Sequence, residues 1–198
     1  MDSQLLYSHD QIRPFAEMFS SVCRNPVDID YFGGADRVRA FFRGDHMVGG
    51  YVVNARQPLR YLQMIPGPQR EQKAISSILD GGDACEIACL WLNRARLTTQ
   101  QRNNVYLLAA MDALATRRRW VVGGSISPKL AQTQKRVLPR VLYTGPWDYE
   151  GSPPEAQIYC ANWWQLAAMI TAAYSRTTME DFLRRNWARL RGQRTRWR

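Results

Sequence analysis

Directly after Ser8, apolar residues recur at three- and four-residue spacing through Ile12, Phe15, Ala16, Met18 and Phe19. That spacing predicts an amphipathic helix ending near Asn25-Pro26. Val38, Ala40 and Phe42 then alternate with Arg37, Arg39 and Arg43, ahead of a Gly44-Asp45 turn and the run Met47 to Asn54. Period-two alternation on both sides of a short turn predicts an antiparallel hairpin. Leu59 to Met64 reads as a further strand closed by Pro66-Gly67-Pro68, and Arg70 to Leu79 as a helix that Gly81-Gly82 ends.

Cys85 to Leu92, CEIACLWL, is an almost unbroken apolar run whose one charge is Glu86. Such a run suits a strand buried on both faces, at the centre of a sheet. Thr98 or Thr99 caps a long helix carrying Val105, Leu108, Ala109, Met111, Leu114 and Ala115, and Trp120 to Ile126 follows as a strand. Strand, long helix and strand in that order make a crossover unit with parallel strands. Pro128 opens a helix to Leu138, Val141 to Tyr149 is a strand, Gly151 to Pro154 a turn and Gln157 to Asn162 a last strand. Two helices, Trp163 to Tyr174 and Thr178 to Leu190, complete the pattern.

The 198 residues carry a net charge of +10, almost all from arginine, since lysine occurs only at positions 73, 129 and 135. Seven arginines fall within the last 17 residues, so much of the basicity belongs to the C-terminal stretch. We therefore divide the chain into one domain, residues 1–176, and a basic C-terminal helix and tail, 177–198. An excess of positive charge attracts polyanions, including the phosphates of a nucleotide-bearing cofactor. The four cysteines, Cys23, Cys85, Cys89 and Cys160, form no CxxC pair and come with two histidines, which argues against a zinc site or a disulfide framework. Cys85 and Cys89 are expected as buried thiols on one face of their strand. No run of ~18 apolar residues and no signal-peptide pattern is visible, so a cytoplasmic location without a membrane span is expected.

The segment 84–92 running into the helix at Thr98, within this order of elements, resembles the fourth strand and cofactor-binding turn of the GNAT acyltransferases over residues 8 to 162. The resemblance implies an α/β fold with a mixed, mostly antiparallel central sheet, flanking helices and here a C-terminal helical extension. It also implies transfer of an acyl group from acyl-CoA, or from phosphopantetheine on an acyl carrier protein, to an amine. Divergent branches that it is similar to include acyl-homoserine lactone synthases, N-acyl amino acid synthases and peptide-lipidating maturases. They point to longer acyl chains; the acidic Asp28 and Asp30 suit a cationic acceptor such as a Lys or Orn side chain of a peptide, with a small amine as the other option.

Within that resemblance, Glu86 matches the position of a general base. A carboxylate on an apolar strand has its pKa raised by desolvation, which suits a base near neutral pH. The usual glycine-rich turn is replaced by Thr98 to Asn103, TTQQRN, so Arg94, Arg96, Thr99, Gln100, Gln101, Arg102 and Asn103 become the candidate cofactor-binding residues. Arginine forks and the positive helix start both suit phosphate. Backbone N–H groups near Leu92 are candidates for the thioester oxygen. The helix region Gln132 to Arg136 lacks the tyrosine that protonates the leaving thiolate in family members, and Tyr143 on the next strand stands in for it. Asp28, Asp30 and Tyr31 are candidate acceptor contacts, and Trp164 a candidate wall of an acyl tunnel. Gly123-Gly124 suits either close approach of a pantetheine arm or a packing constraint. The competing readings are a basic nucleic-acid-binding protein, which no recognisable motif supports, and an inactive GNAT-like scaffold.

Overall fold

The computed structural model describes residues 1–79, 81–146, 155–172 and 175. The chain opens with β1 (Asp2–Leu6), α1 (His9–Cys23) and α2 (Ile29–Gly34), followed by β2 (Arg37–Arg43) and β3 (His46–Asn54). Three short helices come next: α3 (Arg60–Gln63), α4 (Gly67–Arg70) and α5 (Lys73–Leu79). Then follow β4 (Ala84–Leu92), α6 (Thr99–Ala115), β5 (Trp120–Ser125), α7 (Pro128–Lys135), β6 (Arg140–Pro146) and β7 (Glu155–Asn162). Residues 163–172 are helical.

The seven strands form one sheet in the order β1-β2-β3-β4-β5-β7-β6. Every neighbouring pair is antiparallel except β4 and β5, which the α6 crossover makes parallel from Ala84↔Trp120 to Ile87↔Gly123. This is the mixed, mostly antiparallel sheet expected from the sequence. Helix α1 has its buried stripe, Ile12, Phe15, Ala16 and Phe19, on one face of the sheet, in a core shared with Phe32, Leu62, Ile75 and Trp91. The other face is covered by α6, whose buried positions Val105, Ala109, Ala110 and Ala113 are small enough to seat the helix close to the strands. Both α1 and α6 begin with complete capping boxes, Ser8 with Gln11 and Thr98 with Gln101.

One polar cluster sits inside the α6 layer. Asp112 is 5% exposed and receives hydrogen bonds from Arg37 (2.7 Å), Arg39 (2.8 Å) and the Tyr51 hydroxyl (2.7 Å). The two guanidinium groups and the phenol tie the helix to β2 and β3. The Arg39 and Tyr51 hydrogen bonds hold Asp112 below the ordinary carboxylate value against the opposing pull of burial.

Several sequence expectations are corrected. Leu59 to Met64 is not a strand, because residues 60–63 form α3. Arg70 to Leu79 is not one helix but the end of α4, a break at Glu71-Gln72, and α5. Asp28 to Phe32, a stretch given no element in the sequence reading, enters α2, with the Asp28 carboxylate accepting from the Asp30 amide at 2.9 Å. Strand β1 went unpredicted because only Leu6 of its five residues is buried, which leaves no alternation to read. The expected helix Thr178 to Leu190, the Gly151 to Pro154 turn and the arginine-rich end lie outside the described residues.

Candidate active site

Pairing between β4 and β5 stops at Ile87↔Gly123, and the two strands splay apart beyond it. On its other side β4 stays paired with β3, but with an interruption: Val52 faces Ala88 and Gly50 faces Trp91, so Cys89 and Leu90 together oppose Tyr51. That is a β-bulge, and Cys89 takes the left-handed φ of 50° that closes it. The extra residue reverses the alternation. Ala84, Ala88, Cys89 and Trp91 belong to the α1-side core, whereas Cys85 lies in the α6-side core with Ile87, Leu90 and Leu92 packed against it. Cys85 and Cys89 therefore face opposite layers, contrary to the sequence expectation.

The splay holds a cavity of about 240 Å³. Its walls come from both strands (Cys89, Leu90, Gly124, Ser125), from α1 (Phe19, Cys23), from α3 (Arg60, Tyr61) and from Ser127 and Leu130 at the α7 start. Both glycines of β5 are required by packing. A Cβ at Gly123 would meet Leu138 at 2.7 Å, and one at Gly124 would meet the Tyr61 ring at 2.8 Å. Burial pushes the Cys23 thiol up to about 11 and the Cys89 thiol well above its ordinary value, so both are neutral thiols near neutral pH.

Glu86 is wholly buried, and its carboxylate is saturated with donors. Oε1 accepts from the Tyr31 hydroxyl (2.8 Å), the Arg60 amide (2.9 Å) and Asn54 (3.3 Å), while Oε2 accepts from the Tyr61 amide (3.0 Å). Desolvation raises its pKa, and these hydrogen bonds oppose the rise. Glu86 caps α3 from a different element, since Leu59 supplies no side-chain cap. Of its four partners only the Tyr31 hydroxyl carries a proton that can move, and Tyr31 is half-buried rather than sealed.

At the start of α6, Arg94, Arg96, Thr99, Gln100 and Asn103 are exposed, and Gln101 and Arg102 are half-buried. The Gln101 side chain accepts from the Thr98 amide at 2.9 Å, so it serves the cap. Arg102 donates to Thr99 Oγ1 (2.9 Å) and to the Leu97 carbonyl (3.4 Å). The Thr99 and Gln100 amides open the helix, where no intrahelical acceptor exists. Among the described residues both ion pairs end on Asp112, which leaves Arg94 and Arg96 without a carboxylate partner. Leu92 pairs with Gly49 on the β3 side and has no β5 partner. Two arginines without a carboxylate partner, two free amides and an unpaired strand edge fit the phosphates and amides of acyl-CoA.

The remaining candidates are scattered. Asp28 is used as the α2 cap, Asp30 is exposed, and Tyr143 is buried on β6 with its hydroxyl donating to the Pro146 carbonyl. Trp164 is 76% exposed, packs edge-on against Trp163 and lines neither this cavity nor the larger one beside α1. Sequence reasoning missed Arg60, Tyr61, Cys23 and Ser127.

The mixed sheet with its single parallel pair, β4 and β5, has the fold of solved GNAT-type N-acyltransferase structures. No protein-family model matches the sequence, and no curated protein does. Solved structures do. FeeM, an N-acyl amino acid synthase from uncultured soil microbes, matches with a TM-score of 0.62 at 10% identity, over 85% of this chain and 94% of that one. The Salmonella typhimurium protein yncA, solved with its cofactor acetyl-CoA, matches at 0.53 and 11%, over 82% and 95%. A ribosomal-protein-alanine N-acetyltransferase from Brucella melitensis matches at 0.52 and 8%, over 82% and 99%. Among the described residues, no helix is long and apolar enough to cross a membrane.

Proposed function

We propose that this protein is an acyl-CoA-dependent N-acyltransferase and that the splay between β4 and β5 is its reaction centre. The observation that carries this reading is the cavity at the bulge, lined by Cys89, Leu90, Gly124 and Ser125, with Arg94, Arg96 and the α6 start beyond the same end of β4. Similarity to FeeM and to yncA with its acetyl-CoA supports it. Acyl-CoA supplies the activated thioester; the chain's residues position it and move protons. Arg94, Arg96 and the Thr99 and Gln100 amides hold phosphates, and the free edge of β4 about Leu92 faces the pantetheine and thioester oxygen.

Deprotonation of the amine runs through Tyr31. The Tyr31 hydroxyl lies behind the cavity wall, sharing Glu86 Oε1 with the amide of the lining residue Arg60; it takes the amine proton as it passes its own to that oxygen, so charge moves into the carboxylate that α3 already solvates. Glu86 thus acts through Tyr31 rather than by touching the acceptor. Tyr61, which lines the cavity while Tyr143 does not, gives the proton to the departing thiolate.

Arg60 narrows the choice of acceptor. Its guanidinium is at the cavity wall, bonded to the neutral Asn25 Oδ1 at 2.9 Å, and no carboxylate pairs with it among the described residues. A cation there disfavours a Lys or Orn side chain and favours a small amine that carries a carboxylate, an α-amino acid. A longer acyl chain and a carrier-protein donor stay within this reading as alternatives to short-chain acyl-CoA. The test is thiol release from C2 to C14 acyl-CoAs with single amino acids, uncharged amines and a lysine peptide as acceptors. Turnover highest with amino acids and falling in Arg60→Ala is the expected result; no turnover with any pair overturns the enzyme reading.

A further inference from the structure

A second and larger cavity, about 710 Å³, lies on the other flank of α1 between that helix, the β2–β3 turn and the end of β4. Its volume is within the range of cavities that enclose small organic ligands. The floor is apolar, from Phe42, Met47 and Trp91. One wall is the i, i+4 row Pro14, Met18 and Val22, of which Met18 is 39% and Val22 53% exposed. These are large apolar groups left in water beside a recess.

Trp91 supplies the independent sign of a ligand. It is 4% exposed, it lines the cavity, and its buried indole Nε1–H has no hydrogen-bond partner among the described residues. An orphaned buried donor is costly; the nitrogen is covered as the ring stands, so an acceptor in the cavity that Trp91 lines reaches it as the ring turns toward the recess. The rim is charged unevenly. Arg94 and Arg96 stand at the β4 end, without carboxylate partners among the described residues, and Asp45 and His46 stand at the hairpin end. A carboxylate is drawn to the first end and repelled by Asp45 at the second.

We propose that this cavity binds a single-chain anionic amphiphile, an apolar chain ending in a carboxylate. The head group sits by Arg94, Arg96 and Trp91 Nε1, and the chain runs over Phe42 and Met47 along Met18 and Val22. The site lies outside the splay and requires no reaction, but it shares Arg94 and Arg96 with the proposed phosphate site, so acyl-CoA competes for its head-group end, and decanoate binding without acyl-CoA tests it apart from turnover. A recessed shape with an aspartate on one rim suits a monomeric ligand rather than a membrane surface.

The experiment is titration of the full chain with decanoate below its micelle concentration, followed by calorimetry and by the indole N–H signals in a nitrogen-15 correlation spectrum. Trp91→Phe identifies its own signal by removing it, keeping the ring in place. Expected results are saturable one-to-one binding, a downfield shift of the Trp91 signal, and about tenfold weaker binding for Trp91→Phe and for uncharged 1-decanol. Val22→Asp, on the exposed flank of α1, puts a carboxylate into the recess and weakens binding at least as much. It serves as the deciding variant if Trp91→Phe does not fold. Failure of decanoate to bind, binding that leaves the Trp91 signal unmoved or is indifferent to Val22→Asp, or association only with anionic phosphatidylglycerol vesicles overturns the proposal.

Discussion

Glu86 Oε1 lies 2.9 Å from the backbone nitrogen of Arg60, so a carboxylate on the central strand caps a helix that begins 26 residues earlier. Oε2 does the same for the Tyr61 amide at 3.0 Å, and the two bonds fix the wall of the splay cavity to its floor. Glu86→Gln keeps the shape but turns an NH₂ group toward donors. Each donor left unpaired costs about 1–3 kcal/mol. We expect a loss of about 2–4 kcal/mol by denaturant melts, with Glu86→Ala at or beyond the upper end.

Tyr31→Phe separates chemistry from architecture. It removes one of four bonds to Glu86 and leaves both amide bonds in place, so stability falls by only about 1 kcal/mol. Turnover, however, drops by about 10²–10⁴-fold, the usual worth of a positioned base. In the parent protein, the expected rate rises with pH through the Glu86 titration, which burial places above the ordinary carboxylate value of 4.5. That limb disappears in Tyr31→Phe; a variant with the parent rate and pH profile removes this relay.

Arg94→Ala combined with Arg96→Ala is expected to raise KM for acyl-CoA by about tenfold or more while kcat changes little, as phosphate contacts made equally in ground and transition states predict. The parent KM rises with salt, and the double variant's rises less. A lowered kcat at unchanged KM contradicts this assignment.

Gly124→Ala is a test of the cavity itself. The new methyl meets the Tyr61 ring at 2.8 Å and pushes it into the space between the strands. Overpacking of this kind costs about 1–3 kcal/mol. Activity falls further than stability does, because the displaced ring occupies the proposed reaction centre. Equal kcat/KM for the variant and the parent would place the reaction elsewhere.

Asp112 governs acid stability. Its pKa is lowered in the folded state by Arg39, Tyr51 and Arg37, so its stabilising effect is complete above the unfolded carboxylate value. The effect is lost as pH falls through the lower, folded value. Asp112→Asn removes that part of the pH dependence and destabilises the chain by about 3 kcal/mol, since two partly buried guanidinium groups lose their counter-ion. Melting curves from pH 7 downward, for parent and variant, measure both effects.

Much of the fold is legible because it rests on periodicity. The α1 stripe, the β2–β3 alternation and the apolar run of β4 each encode their own burial, and the order β4-α6-β5 carries the parallel pair. The α3 region is illegible for a physical reason: its amides are satisfied by Glu86, and no local pattern reveals a cap arriving from another element. The sequence marks Glu86 as unusual but not which groups surround it. Tyr61 and Arg60 reach the cavity through that long-range cap, so they escape motif reasoning. Tyr143 and Trp164 illustrate the converse, since a plausible residue type near the right strand says nothing about where its hydroxyl or ring finds company.

The bulge at Cys89 has a consequence for what can share a side of this sheet. Glu86 and Trp91 are five positions apart, an odd interval that regular pleating sends to opposite layers. One surplus residue of backbone lets both look toward α1 instead. The α3 anchor and the unbonded indole donor thus become co-facial neighbours through a single unmatched unit of strand, and deleting that unit would exchange every inward and outward position from there to Leu92.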